Sequence, residues 1–368
     1  MARSLRADGA IRRPLQGIIF GAAMLESAVE RPAGEYGTPM LTVVMYHYVR
    51  DLVRTRFPAI KGMRLEHFEG QLEYLTKHYT ICDVREVLAA IRGETTLPRN
   101  ACLLTFDDGF LDHYTAVFPR LDDRGVPAVF FVPARPVEER AVLDVHQIHF
   151  ILAATSDPGE LVREVFALLK PYRAGHDLPD DNTLYQRSAT ATRFDAPDVV
   201  FIKWLLQRGL PKEVRSAIVR ELFLRHVTAD ATAFAQELYM DVEQVRCLIR
   251  YGMVVGGHGY DHPWLETLSA PEQAEEIRST VTFLRRFGPV RAGEWVMSYP
   301  YGSHSTITVN LLRQAGCAMA FTTQVGLAKD LSVPLDIPRL DAVDLPTSRN
   351  AEESAWTACV RNDLVGAG

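Results

Sequence analysis

Ala101-Cys102-Leu103-Leu104-Thr105-Phe106-Asp107-Asp108-Gly109 is the stretch on which the fold turns. A mostly apolar run without polar alternation is the pattern of a strand buried on both faces. Two adjacent carboxylates and a glycine follow it directly. Parallel α/β folds gather their chemistry at that place, the C-terminal ends of the strands.

The same pattern extends outward. Leu41-Thr42-Val43-Val44-Met45-Tyr46 is a second apolar run, with His47 at its end. Between the two runs, apolar residues at 65, 68, 72 and 75 predict a helix over 65–79, and 84–91 predicts another before Pro98. A helix over 112–124 and a strand over 126–132 continue the alternation, so the chain builds parallel βα units.

The rhythm then breaks. Residues 134–250 show mostly helical periodicity, as at 160–169, 199–206 and 214–227, with a loop expected over 177–197. Strands are expected again at 253–257, 295–299, 318–322 and 337–340, and a helix at 270–287 with Ser269 as its N-cap. We read a barrel-like βα domain holding a helical insertion. The expected parts are an extension (1–39), a first barrel part (40–133), the insertion (134–250), a second barrel part (251–345) and a tail (346–368).

Three polar clusters sit at predicted strand ends. T-F-D-D-G-F (105–110) alone also reads as a loop with an Asx turn. H-G-Y-D-H (258–262) puts His258 and His262 four residues apart, where one turn of helix would aim both imidazoles at one cation. Alone, the pair also reads as satisfied surface histidines. S-Y-P-Y-G (298–302) is an aromatic turn. Taken together, Asp108, His258 and His262 make a three-ligand set that leaves an open position on Zn²⁺ or a similar ion. Asp107 is then a spare carboxylate beside the metal. An ion with an open position brings the pKa of bound water down to roughly 7, and the spare carboxylate is placed to act as general base. That apparatus hydrolyses an amide or an ester.

With these three motifs in order, the sequence resembles the polysaccharide deacetylase (NodB-homology) family of carbohydrate esterases over about 41–133 and 238–342. The resemblance implies a distorted (β/α)7 barrel, here with a helical insertion, and Zn²⁺ or another divalent cation such as Ni²⁺ or Co²⁺. It implies Asp107 as base, Asp108, His258 and His262 as metal ligands, and Tyr301 as the residue whose backbone N–H helps hold the oxyanion. Its implied reaction is removal of an N-acetyl group from an amino sugar or small sugar conjugate by a metal-bound water. Three departures stand out. Gly259 replaces the usual Ser or Thr after the first histidine. Ser298 replaces the arginine that commonly opens the third motif and orients the base. No histidine follows His304, whereas many members take a general acid from a C-terminal one. The S-Y-P-Y-G form is similar to the poly-N-acetylglucosamine deacetylase branch, in which the acid comes from a histidine after the first strand. His47 occupies that place, and His304 is its rival.

His146 and His149 read either as polar positions of an amphipathic helix or as residues of the substrate pocket. Tyr260 and Trp264 read as sugar-stacking platforms or as core, with core favoured for Trp264. The insertion is expected to form a cap over the pocket or a homodimer contact.

The remaining features set bounds. A net charge of −6 gives no support to nucleic-acid binding. The five cysteines are scattered and form no C-x-x-C pair, which leaves neither a disulfide framework nor a thiolate metal site. No apolar run reaches the roughly 18 residues of a spanning helix. Arg12 and Arg13 precede a diluted apolar stretch at 15–25, a poor signal-like pattern, so a cytoplasmic location is expected. A sugar N-deformylase, an O-acetyl esterase and a catalytically silent sugar-binding protein stand as alternatives.

Overall fold

The computed structural model describes residues 40–365. The extension expected over 1–39, with its signal-like stretch, lies outside the described residues. Among these, seven parallel strands close a barrel: β1 Thr42–Tyr46, β2 Ala101–Phe106, β3 Val129–Val132, β4 Val254–Gly257, β5 Trp295–Ser298, β6 Cys317–Val325 and β7 Ile337–Asp341. β1 pairs with β2 on one side and β7 on the other, which closes the ring, and the rest pair in chain order. The join between β4 and β5 holds at a single register position, Gly257 against Met297, so the barrel is distorted there.

Alternation along each strand divides the core. Val44, Tyr46, Leu104, Phe106, Phe130 and Val132 point to the helix layer, where Phe68, Leu72 and Leu75 of α1 (Leu65–His78) meet them. Val43, Leu103, Phe131, Val296 and Phe321 come from five different strands yet form one cluster, which places them inside the barrel. α2 (Val84–Ile91) adds Val84, Val87 and Leu88 to that cluster, its start fixed by a capping box between Asp83 and Glu86. Burying each such side chain stabilises the fold by about 1.5–3 kcal/mol. Gly256 in β4 has a steric reason: a Cβ there would lie 2.6 Å from the ring of Phe131. The helix expected over 112–124 begins as a π-helical turn, His113–Val117, and runs into α3 (Phe118–Asp122).

The span 134–250 is not one body. Its ends belong to the barrel. α4 (Ala134–Glu139) contributes Ala134 and Val137 to the barrel core, and α11 (Val242–Arg250) contributes Val245 and Leu248. Between them lie α5 (Asp144–Ala154), α6 (Pro158–Leu169), α7 (Asp181–Gln186), α8 (Pro197–Trp204), α9 (Lys212–His226) and α10 (Ala231–Leu238). Their core includes Ile148, Phe150, Val165, Phe201, Leu222 and Phe234. Tyr48 and Phe110, which follow β1 and β2, pack into the same core, so the helical body is rooted on the barrel's C-terminal face. Helical periodicity reports an apolar stripe but not which body the stripe faces, hence the wider span read from sequence.

The expected tail likewise joins the barrel. In the helix Ala355–Val365, Thr357 hydrogen-bonds Tyr74 and Tyr79 at 2.8 and 2.9 Å, and Val360 is buried in the barrel core. Among the described residues, no helix is long and apolar enough to cross a membrane.

Candidate metal centre

β2 delivers Asp107 and Asp108, β4 delivers His258 and His262, and β5 delivers Ser298. Asp108 Oδ1 lies 3.4 Å from His258 Nε2 and 3.5 Å from His262 Nε2. All three side chains are buried and their ligand atoms fall within 4.8 Å of one another. Donors about 2.0–2.1 Å from a shared ion, set at tetrahedral angles, stand about 3.4 Å apart. The polar accounting agrees. Asp108 Oδ1 and His262 Nδ1 are buried without a hydrogen-bond partner, a cost that a cation bound at Oδ1 would offset for the carboxylate. His258 Nδ1 sits 2.8 Å from the Ser298 carbonyl, so Nδ1 carries the proton and Nε2 presents its lone pair to the centre. The residues fit a divalent ion.

Strain gathers here. Four non-glycine residues have left-handed backbone among those described, and Asp108 (φ 78), His262 (φ 53) and Tyr301 (φ 59) are three of them. Backbone held this way costs on the order of 1–3 kcal/mol per residue and clusters at functional sites.

Asp107 has a partner that the sequence did not reveal. Arg339 of β7 is fully buried and grips the carboxylate with two bonds, Nη1 to Oδ1 at 2.9 Å and Nη2 to Oδ2 at 2.7 Å. Ser298 Oγ also donates to Oδ2, at 3.0 Å, and accepts from Arg339 Nη2 at 2.9 Å. Arginine is thus supplied from the last strand instead of the third motif, where Ser298 keeps a place in the same network. Burial alone would raise the Asp107 pKa, but Arg339 and then His258 outweigh it and hold the carboxyl down at about 2. Both lone pairs of Oδ2 are committed, while Oδ1 accepts one bond and keeps one lone pair for an incoming proton. A hint lay in the I-P-R-L-D run, because an arginine inside a buried strand needs a partner.

The other predicted residues fall into two groups. His47 is half-buried at the end of β1, beside Tyr46, whose carbonyl accepts the Asp107 N–H at 2.8 Å. Tyr301 sets its ring edge-on to His262 at 4.6 Å and stacks on Trp264 at 4.4 Å. His146 is buried with Nε2 3.2 Å from Asp108 Oδ2. His149, 5.8 Å from the His146 ring, is pushed down to about 3 by burial and by the neighbouring histidine, so it is neutral near pH 7. Tyr260, by contrast, commits its hydroxyl to Glu139 of α4 at 2.7 Å, and His304 turns to Asp336 at 3.5 Å. Neither faces the donor set.

A parallel barrel that gathers an Asp–His–His donor set and a spare, arginine-held carboxylate at its C-terminal face has the residues of a hydrolytic centre. The family model for polysaccharide deacetylase matches residues 94–167 and 218–320, both segments that carry the centre. The chain carries a polysaccharide deacetylase domain over those residues. A poly-beta-1,6-N-acetyl-D-glucosamine N-deacetylase of Escherichia coli strain K12 is 26% identical over 319 residues, covering 85% of this chain and 38% of that protein. The chain therefore spans well under half the length of this curated relative. A Streptococcus pyogenes deacetylase, solved in complex with acetate, shares the fold with a TM-score of 0.50 at 14% identity, covering 89% of this chain and 97% of that one.

Proposed function

We propose that the chain removes the N-acetyl group from an amino sugar in a chain-terminal unit or small conjugate. The observation that carries this reading is the juxtaposition of Asp107, kept ionised by Arg339, with the Asp108–His258–His262 donor set. Those three residues would hold a divalent ion, Zn²⁺ or a relative such as Ni²⁺ or Co²⁺, whose chemistry is Lewis-acid activation of a water and of the acyl carbonyl. Asp107 Oδ1 takes a proton from the attacking water. His47 returns a proton to the departing nitrogen, without which an amine is a poor leaving group. The Tyr301 backbone N–H meets the negative charge that grows on the acyl oxygen. The products are acetate and a free amino sugar.

The test is acetate release by the parent chain and by Asp107→Asn, which is nearly isosteric but cannot accept the proton. Asp107→Asn is expected to retain its metal and lose roughly 10²-fold or more in rate. Retained activity in that variant would remove Asp107 from the mechanism. A sugar N-deformylase or O-acetyl esterase would use the same centre, and formyl and O-acetyl substrates in the same assay separate them.

The helical body supports the small or terminal substrate. It meets the loop after β1 through Asp195 and Lys61 at 2.5 Å, and the loop after β7 through Arg193 and Asp344 at 3.0 Å. It meets the loop after β4 through Arg208, 4.3 Å above the Trp264 ring. Anchorage at the adjacent β1 and β7 loops and, across the barrel mouth, at the β4 loop favours a cap over a dimer contact. An interior unit of a polymer needs a groove open at both ends. We expect faster deacetylation of an N-acetylated monosaccharide conjugate than of internal units in long oligomers. The reverse order in the parent chain would end the cap reading.

A further inference from the structure

We propose that His146, carried on α5 of the helical body, is a positioning residue for the metal-binding carboxylate, so that the insertion is part of the centre itself. This rests on the metal reading above. Asp108 Oδ1 faces the two ligand histidines, while Oδ2 faces His146 Nε2 at 3.2 Å. His146 is 1% exposed, and its Nε2 has no aligned hydrogen-bond partner while it lies against the carboxylate. It falls outside the compact donor set of Asp108, His258 and His262, which argues for a role on the ligand and against a place among the ligands.

The proton positions follow from the neighbours. The Leu143 N–H donates to the Tyr239 hydroxyl at 3.2 Å. That hydroxyl lies 2.5 Å from His146 Nδ1, and in the proposed tautomer its own proton goes to the ring nitrogen. With Nδ1 accepting, the ring hydrogen sits on Nε2, which lies 3.2 Å from Asp108 Oδ2. The chain Leu143 N–H, Tyr239 O–H, His146 Nε2–H runs in one direction toward the carboxylate, and a small turn of Asp108 would complete its last bond. With Oδ2 engaged in this way, Oδ1 would be the oxygen left for an ion, and the aspartate would be fixed in rotation as well as place.

Both ends of the helical body take part. His146 stands on its first helix and Tyr239 directly after its last. Tyr239 also bridges Phe110 in antiparallel register, and the Met240 N–H donates to the Gly109 carbonyl at 3.0 Å. The return of the chain is thereby joined to the loop that carries Asp107 and Asp108.

The experiment uses the full chain, stripped of metal and titrated with Co²⁺ and with Zn²⁺ against a competing chelator. The absorption spectrum of the Co²⁺ form is recorded alongside. Partners of this kind typically contribute 10–100-fold to metal affinity. His146→Ala is expected to weaken binding by about that factor and to change the Co²⁺ bands. Tyr239→Phe is expected to weaken it less. His146→Gln, which restores an N–H donor, is expected to recover part of the loss. A purely packing role would lower the melting temperature of the metal-free protein without altering the spectrum of the folded, loaded form, and Gln would not rescue affinity. That outcome, or an affinity for His146→Ala within twofold of the parent, overturns the proposal while leaving the three-ligand centre intact. A parent chain that binds neither ion overturns the metal reading, and this inference with it.

Discussion

Arg339→Met is expected to destabilise the fold by about 3–5 kcal/mol, the cost of removing one partner from a buried ion pair. The methionine would fill much of the volume, yet Asp107 would stay buried, held only by Ser298 from the former network. The Thr322 carbonyl, which accepts from Arg339 Nε at 2.8 Å, would also lose its donor. A second effect is on titration. Asp107 ionises at about 2 in the fold, against roughly 3.9 in an unfolded chain. The folded value is the lower one, so the ion pair contributes stability above about pH 4 and loses it as pH falls toward 2. Without Arg339 the carboxyl pKa rises, and the acid limb of the activity profile should move to higher pH. Arg339→Lys keeps a charge but not the two-pronged geometry, and should fall between the parent and the methionine variant. Urea unfolding at neutral pH and a pH–rate profile measure both effects. A loss under about 1 kcal/mol, the scale of an exposed pair, together with an unmoved acid limb, would mean that Asp107 is not held by this arginine in solution.

His262→Ala should abolish tight metal binding. Three protein ligands leave an open position, and two leave too few to fix one. The expected loss exceeds the roughly 100-fold scale of an outer-shell change, and acetate release should fall with it. Asp108→Ala and His258→Ala should behave alike, and the buried neighbours give the ranking a check. His258 also hydrogen-bonds the Ser298 carbonyl, so its removal should cost more stability than that of His262, whose Nδ1 is unpartnered. Elemental analysis of the purified variants decides the point. Full metal occupancy in His262→Ala would remove that residue from the ligand set.

The barrel was legible in the sequence because its strands are buried on both faces. Ala101–Phe106 and the run before His47 carry no alternation to confuse with a half-exposed strand, and the polar motifs mark their ends. Asp108, His258 and His262 were legible as a donor set, but not through the expected helical turn: 258–262 is a non-helical loop in which Gly259 and His262 take left-handed backbone and bring the two imidazoles together. Arg339 was not legible, because its partner Asp107 lies 232 positions away and a lone arginine in a short strand looks like a strand exit. The limits of the helical body were hidden for a related reason. Asp241 and Gln244 announce the start of α11 as a capping box, but a cap says nothing about which core Val245 and Leu248 will enter. His146 could be read from sequence as a polar helix position or a pocket residue, but not as the neighbour of a particular carboxylate. Its meaning depends on Asp108 and Tyr239, both distant along the chain.

The pairing of Asp107 with Arg339 has a consequence during synthesis. The aspartate leaves the ribosome long before the arginine, and at about 5–20 residues per second the wait is on the order of 10–50 s. Through that interval a nascent chain has a second strand ready to be buried but no counter-ion for its terminal carboxylate. The ring is also open on the β1 side until β7 arrives. Nascent chains stalled before residue 337 should therefore be held by chaperones and cut readily by proteases, and release of the last strand should bring closure of the barrel and completion of the centre in one event.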